Sequence, residues 1–433
     1  MAAGAASDPL PRPDGLILAP FRALRYDPGR VALADVLAPP YDVIDEAQRA
    51  HLEAQEPHNV VRITLPRDEP GDPSADSRYQ VAARLMAQWR DDGILVPDEQ
   101  PALYVYEQRA GGHVQRGLVG ALGLTPAEDA IVLPHENTMA GPVADRLALM
   151  VATEADLEMI FLVYEGGGAA ARAVAEADQS EPLIDVTTSD GLRHRVWAIT
   201  DATALTGIAD DLHSRRAVIA DGHHRYATYL QYQAQRHAAG DGSGPWDFGL
   251  AFLVDGSAFG PQVHAIHRAI PGLAAGRAIE QAATGFEVTE IAGGLSAAED
   301  TLAKAGLDGV AFVVTDGNRA WLLTQPDAAG LAAALPADRS AAWRALDVSV
   351  THAFLIATLW GLDDREEVVQ FHHDVGSAVD AAAAGGGIAL LLNPTPVADV
   401  AAVAAAGDRM PRKSTLFVPK PATGLLIRSF DDA

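Results

Sequence analysis

The 433-residue chain contains no cysteine. That absence excludes disulfides, thiolate nucleophiles, iron–sulfur clusters and cysteine-ligated zinc together. Basic residues are scarce, with 32 Lys and Arg against 58 Asp and Glu and a formal charge of −26. Nucleic acids and anionic membranes are bound by clustered Lys and Arg, so neither is expected as a partner. No apolar run reaches the roughly 18 residues of a membrane span. The nearest approach, Ala381–Leu392, is broken by Gly385, Gly386 and Gly387 and ends at Asn393-Pro394. Residues 1–15 have neither a basic start nor an apolar stretch, and Pro9, Pro11 and Pro13 interrupt them. They are expected to be a disordered tail rather than a signal peptide, and the expected location is the cytoplasm.

What is present is the composition of a globular protein, 48% hydrophobic and 21% charged. Single cores stop growing near about 250–300 residues, so this length implies two or three packing units. Helical spacing predicts helices over 46–55, 78–90, 142–153, 204–215, 226–237, 349–360 and 397–406. Short apolar runs predict strands over 60–65, 102–107, 115–124, 159–164, 195–200, 217–220, 248–254 and 388–392. A hairpin is expected around Asp316-Gly317-Asn318. The fold class is therefore mixed α/β, with an N-terminal section over 16–126, a middle section over 127–270 and a C-terminal section over 271–433.

The segment Ala217-Val218-Ile219-Ala220-Asp221-Gly222-His223-His224-Arg225-Tyr226 is the richest in chemistry. A buried strand runs through a short turn into a helix, whose first N–H groups and dipole favour an anion. Gly222 removes a side chain from the path of a phosphate, Arg225 can fork onto two phosphate oxygens, and His223 or His224 can donate a proton. Asp221 can cap the helix, hold a magnesium-bound water or orient a histidine. Neighbouring residues on a helix diverge by about 100°, so His223 and His224 are not a metal-ligand pair.

Upstream, His135-Glu136 sits in a loop ahead of a helix that carries Arg146, and Glu136 can serve as a general base on a substrate hydroxyl. The basic loop 409–420 offers Lys413, Ser414 and Thr415 as phosphate contacts. It lacks the Walker pattern. Pro39-Pro40-Tyr41-Asp42 is a rigid loop that can present Tyr41 and Asp42 to a substrate, beside His135 and Arg146. His372-His373-Asp374 reads as structural, because consecutive strand residues point to opposite faces.

The run from Ala220 to Tyr226, with His135-Glu136 before it, resembles the ParB/sulfiredoxin-like superfamily, and within it the nucleotide-dependent free serine kinases. Pro39-Pro40-Tyr41-Asp42, Leu346-Asp347-Val348-Ser349 and Met410-Pro411-Arg412-Lys413-Ser414-Thr415 also resemble the pattern of an uncharacterised bacterial and archaeal family carrying the same segment. The kinase-like part spans about residues 127–270. The resemblance implies a ParB/sulfiredoxin-like core there, with Asp221 to Arg225 on the phosphates of ATP or ADP with Mg2+, and Glu136 as the catalytic carboxylate. Sulfinic-acid reduction, another activity of the superfamily, needs a cysteine where His223 stands. The expected function is a small-molecule phosphotransferase similar to a free serine kinase, with His223 and His224 in supporting catalytic roles. The alternative is a nucleotide-binding regulatory protein that hydrolyses slowly or not at all. A small-molecule substrate and a homodimer are the expected partners.

Overall fold

The computed structural model describes residues 13–68, 77–365 and 367–432. Of the expected tail, residues 1–12 lie outside the described residues. Its end is held on the fold: Leu16 N–H donates to the His213 carbonyl at 3.2 Å, and Asp14 Oδ1 lies 3.0 Å from His213 Nε2. Among the described residues, the chain through Pro261, rejoined by Pro419 onward, packs as one compact unit, and Gln262–Val418 packs as a second. The expected boundary at residue 126 falls within one sheet, and the last residues of the chain belong to the first unit.

The first unit is built on a nine-stranded sheet. Its elements include β1 (Leu18–Ala19), α1 (Glu46–Gln55), α2 (Ser77–Asp91), β2 (Leu103–Ala110), β3 (His113–Gly123), β4 (Val132–Leu133) and α3 (Ala140–Thr153). They continue as β5 (Ile160–Tyr164), β6 (Ile184–Thr187), β7 (Arg193–Ile199), α4 (Ala202–His213), β8 (Ala217–Asp221), α5 (His223–Ala239) and β9 (Phe248–Asp255). The strand order is β4-β8-β5-β9-β3-β2-β7-β6, with β1 paired to β3. Only β4–β8 and β5–β9 pair in parallel; the other pairs are antiparallel. Every residue of β5 is buried, as expected of a strand covered on both faces. Leu162, Tyr164, Ile219 and Leu253 join a core that Tyr226, Tyr229 and Tyr232 of α5 complete.

A second core in this unit explains a departure from expectation. Val60–Leu65, a β-branched run expected to be a strand, forms the helical turn Val61–Thr64. Asn59 Oδ1 accepts the Val61 N–H at 3.0 Å and starts the turn, and Val60, Val61 and Ile63 then bury together against Tyr79, Met86 and Trp89 of α2. Periodicity cannot separate a buried strand from a buried helical turn over so few residues. Leu149 of α3 and Ile427 from the end of the chain close the same core.

The second unit holds a six-stranded antiparallel sheet in the order Glu287–Glu290, Ala320–Thr324, Ala311–Thr315, Ile388–Leu392, His267–Ile270, Gln370–His372. The expected hairpin is present: Gly317 takes φ +92°, and Asp316 Oδ1 accepts the N–H groups of Asn318 and Arg319. The helix expected over 349–360 starts as an α-turn, Asp347–Val350, and continues as the π-helix Thr351–Leu359. Asp374 caps the helix Val375–Ala384 by accepting the Ser377 N–H at 2.8 Å. No helix among the described residues is long and apolar enough to cross a membrane.

Two buried histidines make the fold sensitive to acid. Burial lowers His194 to about 4, where it packs with Nδ1 2.8 Å from the Tyr106 hydroxyl. Burial, with Arg268 adding to it, lowers His267 in the second unit to about 4 as well. A depressed histidine favours its neutral form in the folded state, so its stabilisation is complete above about 6.5 and is lost as pH falls toward about 4. Urea unfolding followed from pH 7 to pH 4.5 is expected to show a falling midpoint. His194→Gln should flatten that fall by up to about 3 kcal/mol.

Candidate functional site

The site forms at the end of β8. That strand pairs antiparallel with β5, and its register shifts between Ile219 and Asp221. A bulge of this kind re-aims the side chain that follows it. Gly222 then takes φ +93°, and α5 begins at His223. A Cβ on Gly222 would lie 3.0 Å from Ile160 Cγ2 and 3.2 Å from Cζ and Nε of Arg225. Backbone conformation and lack of room therefore both demand glycine.

The neighbour that crowds Gly222 anchors a chain of charges. Arg225 is 5% exposed and donates from Nη2 to Asp221 Oδ2 and from Nη1 to the Met159 carbonyl, both at 2.5 Å. Asp221 Oδ1 lies 2.7 Å from Lys420 Nζ, and Lys420 Nζ donates to Asp42 Oδ2 at 3.0 Å. Burial disfavours the charge on Lys420, but Asp221 and Asp42 outweigh it and raise its pKa. Burial likewise works against the Asp42 carboxylate, and Lys420 and Arg225 hold it below its ordinary value.

A second acid lies deeper. Glu158 Oε1 accepts the Tyr41 N–H at 2.9 Å and the Thr423 hydroxyl at 3.2 Å, while Oε2 stands 4.0 Å from Arg146 Nη1. Burial raises its pKa, against the pull of Arg225 and Arg146. Arg146 also donates to the Thr64 carbonyl at 2.6 Å, pairs with Asp145, and lies 4.2 Å over the Tyr41 ring. A small cavity between α3 and α5 is lined by Arg146, Glu158, Arg225 and Tyr229.

The loop before α3 closes over the first turn of α5. The His135 N–H donates to His223 Nε2 at 3.2 Å, and the Met139 N–H donates to His224 Nε2 at 3.0 Å. A ring nitrogen that accepts carries no proton, so both contacts favour the neutral imidazole with its hydrogen on Nδ1. Burial lowers the pKa of His224 and favours the same state. The rings of His135 and His223 meet edge to face at 4.5 Å. Glu136 lies 3.9 Å from both, through His135 Nε2 and His223 Nδ1. Its side chain is 39% exposed and so open to a solute.

The first unit thus holds Tyr41, Asp42, His135, Glu136, Arg146, Asp221, Gly222, His223, His224 and Arg225 around the β8–α5 turn. Arg225 faces inward, behind Asp221, instead of outward from the helix start. Lys413, Ser414 and Thr415 belong to the second unit. There the Lys413 carbonyl accepts from Arg268 Nη2 at 3.0 Å, and the buried Ser414 hydroxyl donates to the Pro411 carbonyl. Sequence reasoning did not place Lys420 or Glu158 in the site. Lys420 ends the basic loop it singled out, and Glu158 directly precedes the apolar run of β5.

Among the described residues, no three His, Asp or Glu side chains converge as a metal cage. Asp42 and Asp221 do converge on one cation, the Lys420 ammonium. Lys420 and Arg225 occupy those carboxylates, so a magnesium ion carried in by phosphates would reach Asp221 only through one of the several waters it keeps.

Residues 18–349 match the family described as "Protein of unknown function (DUF1015)", and the chain belongs to that family. No curated protein matches it. Among solved structures it is similar to a free serine kinase in complex with ADP, with 12% identity, a TM-score of 0.32, and coverage of 66% of this chain and 84% of that one. A conserved hypothetical protein from Pyrococcus furiosus matches at 14% identity and TM-score 0.31, covering 72% and 93%. SbnI with a C-terminal truncation, from Staphylococcus aureus, matches at 9% identity and TM-score 0.31, covering 72% and 87%. Likeness at this level does not specify an activity.

Arg225→Ala would remove the most deeply buried cation beside Asp221 and Glu158, leaving Lys420 to the first and Arg146 to the second. A loss of about 3–5 kcal/mol is expected, read from the urea midpoint. An unchanged midpoint would show that the charge chain does not hold the turn.

Proposed function

We propose that this protein is a cytoplasmic, nucleotide-dependent phosphotransferase acting on a small hydroxyl compound. The observation that carries the reading is the placement of Glu136, a solvent-open carboxylate beside His135 and His223 over the glycine turn that starts α5. A base near a helix start is the pairing phosphoryl transfer uses, since that reaction needs mainly positioning and charge stabilisation. The sequence resemblance of the same segments to the free serine kinases supports the same assignment, with free serine as one acceptor.

In this reading the phosphates of ATP or ADP lie on the first turn of α5, where the helix dipole favours negative charge. Glu136 takes the proton of the acceptor hydroxyl. The hydroxyl oxygen bonds to the terminal phosphorus, the bond from that phosphorus to the bridging oxygen breaks, and the shortened nucleotide leaves. His223, with Nδ1 3.9 Å from Glu136, lines the polar surroundings of that carboxylate. Asp221 would hold magnesium through a bound water, and the ion would neutralise phosphate charge when bound. Arg225 keeps Asp221 aimed from behind.

One observation favours the second reading, a nucleotide-binding regulator. The site's cations are matched to carboxylates before any ligand arrives, Arg225 to Asp221 and Lys420 to Asp42 and Asp221. Such a site gives binding without requiring turnover.

The two readings separate on one variant. Glu136→Gln is expected to leave nucleotide affinity within about threefold and to lower kcat by about 10²–10⁴-fold, the usual worth of a general base. The measurement is nucleotide turnover over a panel of hydroxyl metabolites, with calorimetry for binding. Binding without turnover in the unmodified protein selects the regulator; no binding of ATP or ADP removes both readings.

A further inference from the structure

We infer that Lys420, in the segment that returns from the second unit to the first, is the phosphate-contacting lysine of this site and holds an N–H pre-aimed at a phosphoryl oxygen. The inference rests on the nucleotide reading above and names the residue that distinguishes a polyphosphate from other ligands.

The geometry is specific. An ammonium has three N–H donors. Two are spent on Asp42 Oδ2 at 3.0 Å and Asp221 Oδ1 at 2.7 Å. The third has no protein partner among the described residues. The side chain is 18% exposed, so the ammonium is neither sealed in the core nor loose in solvent. Arg225 and Arg146, the other cations here, are 5% and 7% exposed and have guanidinium hydrogens committed to the carbonyls of Met159 and Thr64. Of these three cations, Lys420 alone combines a spare donor with an approach from solvent.

Its backbone is fixed as firmly as its head. Gln108 Nε2 donates to the Lys420 carbonyl at 2.8 Å, and Gln115 Nε2 donates to the Pro419 carbonyl at 3.0 Å. Both amides come from the β2–β3 hairpin, and the two are joined to each other at 2.7 Å. A flexible side chain ordinarily loses rotamer freedom when it meets a ligand; here the carboxylates and the hairpin have already imposed that order. The charge raised by Asp42 and Asp221 also remains present across the physiological range.

The experiment uses the full chain, unmodified and as Lys420→Met and Lys420→Arg, with calorimetric titration of AMP, ADP, ATP and inorganic tripolyphosphate in the presence of magnesium. Lys420→Met is expected to weaken ATP and tripolyphosphate by about 10–100-fold, the worth of one hydrogen bond to a charged group, and to weaken AMP less. Lys420→Arg, which keeps the charge, should recover most of the affinity. Thermal melting of each variant separates a lost contact from a lost fold. If Lys420→Met melts earlier, Lys420→Arg decides: an affinity for tripolyphosphate as low as that of Lys420→Met, with an unchanged melt, overturns the contact. Equal ATP affinity in Lys420→Met and the unmodified protein overturns the inference while leaving the nucleotide reading intact. Failure of the unmodified protein to bind any of the four probes overturns that reading and this inference with it.

Discussion

The arrangement of the first unit depends on one constraint: carboxylates taken out of water must meet cations. Asp42, still 38% exposed, comes from the N-terminal loop, Asp221 from the end of the strand next to the sheet edge and Lys420 from the returning end of the chain, and both acids lie within 3.0 Å of the ammonium. Arg225 extends the chain inward to the Met159 carbonyl. Glu158 continues the same logic by holding the backbone of Tyr41 and the hydroxyl of Thr423. Segments far apart in sequence are thus tied to one turn by charge. The loop-closure entropy of such long separations grows only slowly with length, so a whole second unit between Pro261 and Pro419 is a tolerable insertion.

Apolar burial makes this charge chain possible. Leu425, Leu426 and Ile427 are buried, and Ile427 packs with Val60, Trp89 and Leu149. The backbone of Leu24 exchanges hydrogen bonds with Ile427, and Ala38 with Thr423. These contacts deliver Lys420 to its partners. The ionic chain then ties the returning segment to Asp42 and Asp221.

Much of the fold was legible because long periodic segments carry their own signal. The helices α1 and α2, the β2–β3 hairpin and the strands β5, β8 and β9 follow apolar spacing and turn chemistry directly. Val61–Thr64 was misread because its burial on all sides erases the period that separates helix from strand. The candidate site was legible where its residues are adjacent in sequence, as in Asp221 to Arg225 and His135-Glu136. Lys420 was not, because its role depends on a return of the chain that no local pattern encodes. The basic loop drew attention to Lys413 through its run of hydroxyl and basic neighbours, whereas the residue that reaches Asp221 stands beyond Pro419, in the other unit.

The strongly acidic composition takes on a physical meaning at this turn. A chain with a formal charge of −26 repels polyanions at long range, and screening confines that repulsion to about 8–10 Å at physiological salt. Inside that distance the local field is set by neighbours: Lys420 and Arg225 against Asp42 and Asp221, with the helix start of α5 adding partial positive charge. A nucleic-acid polymer would have to carry many phosphates through that repulsive shell. On the proposed reading, a single nucleotide whose phosphates arrive partly neutralised by magnesium would meet little repulsion and would need only one spare donor and one helix start. Overall acidity and the proposed phosphate site are therefore compatible.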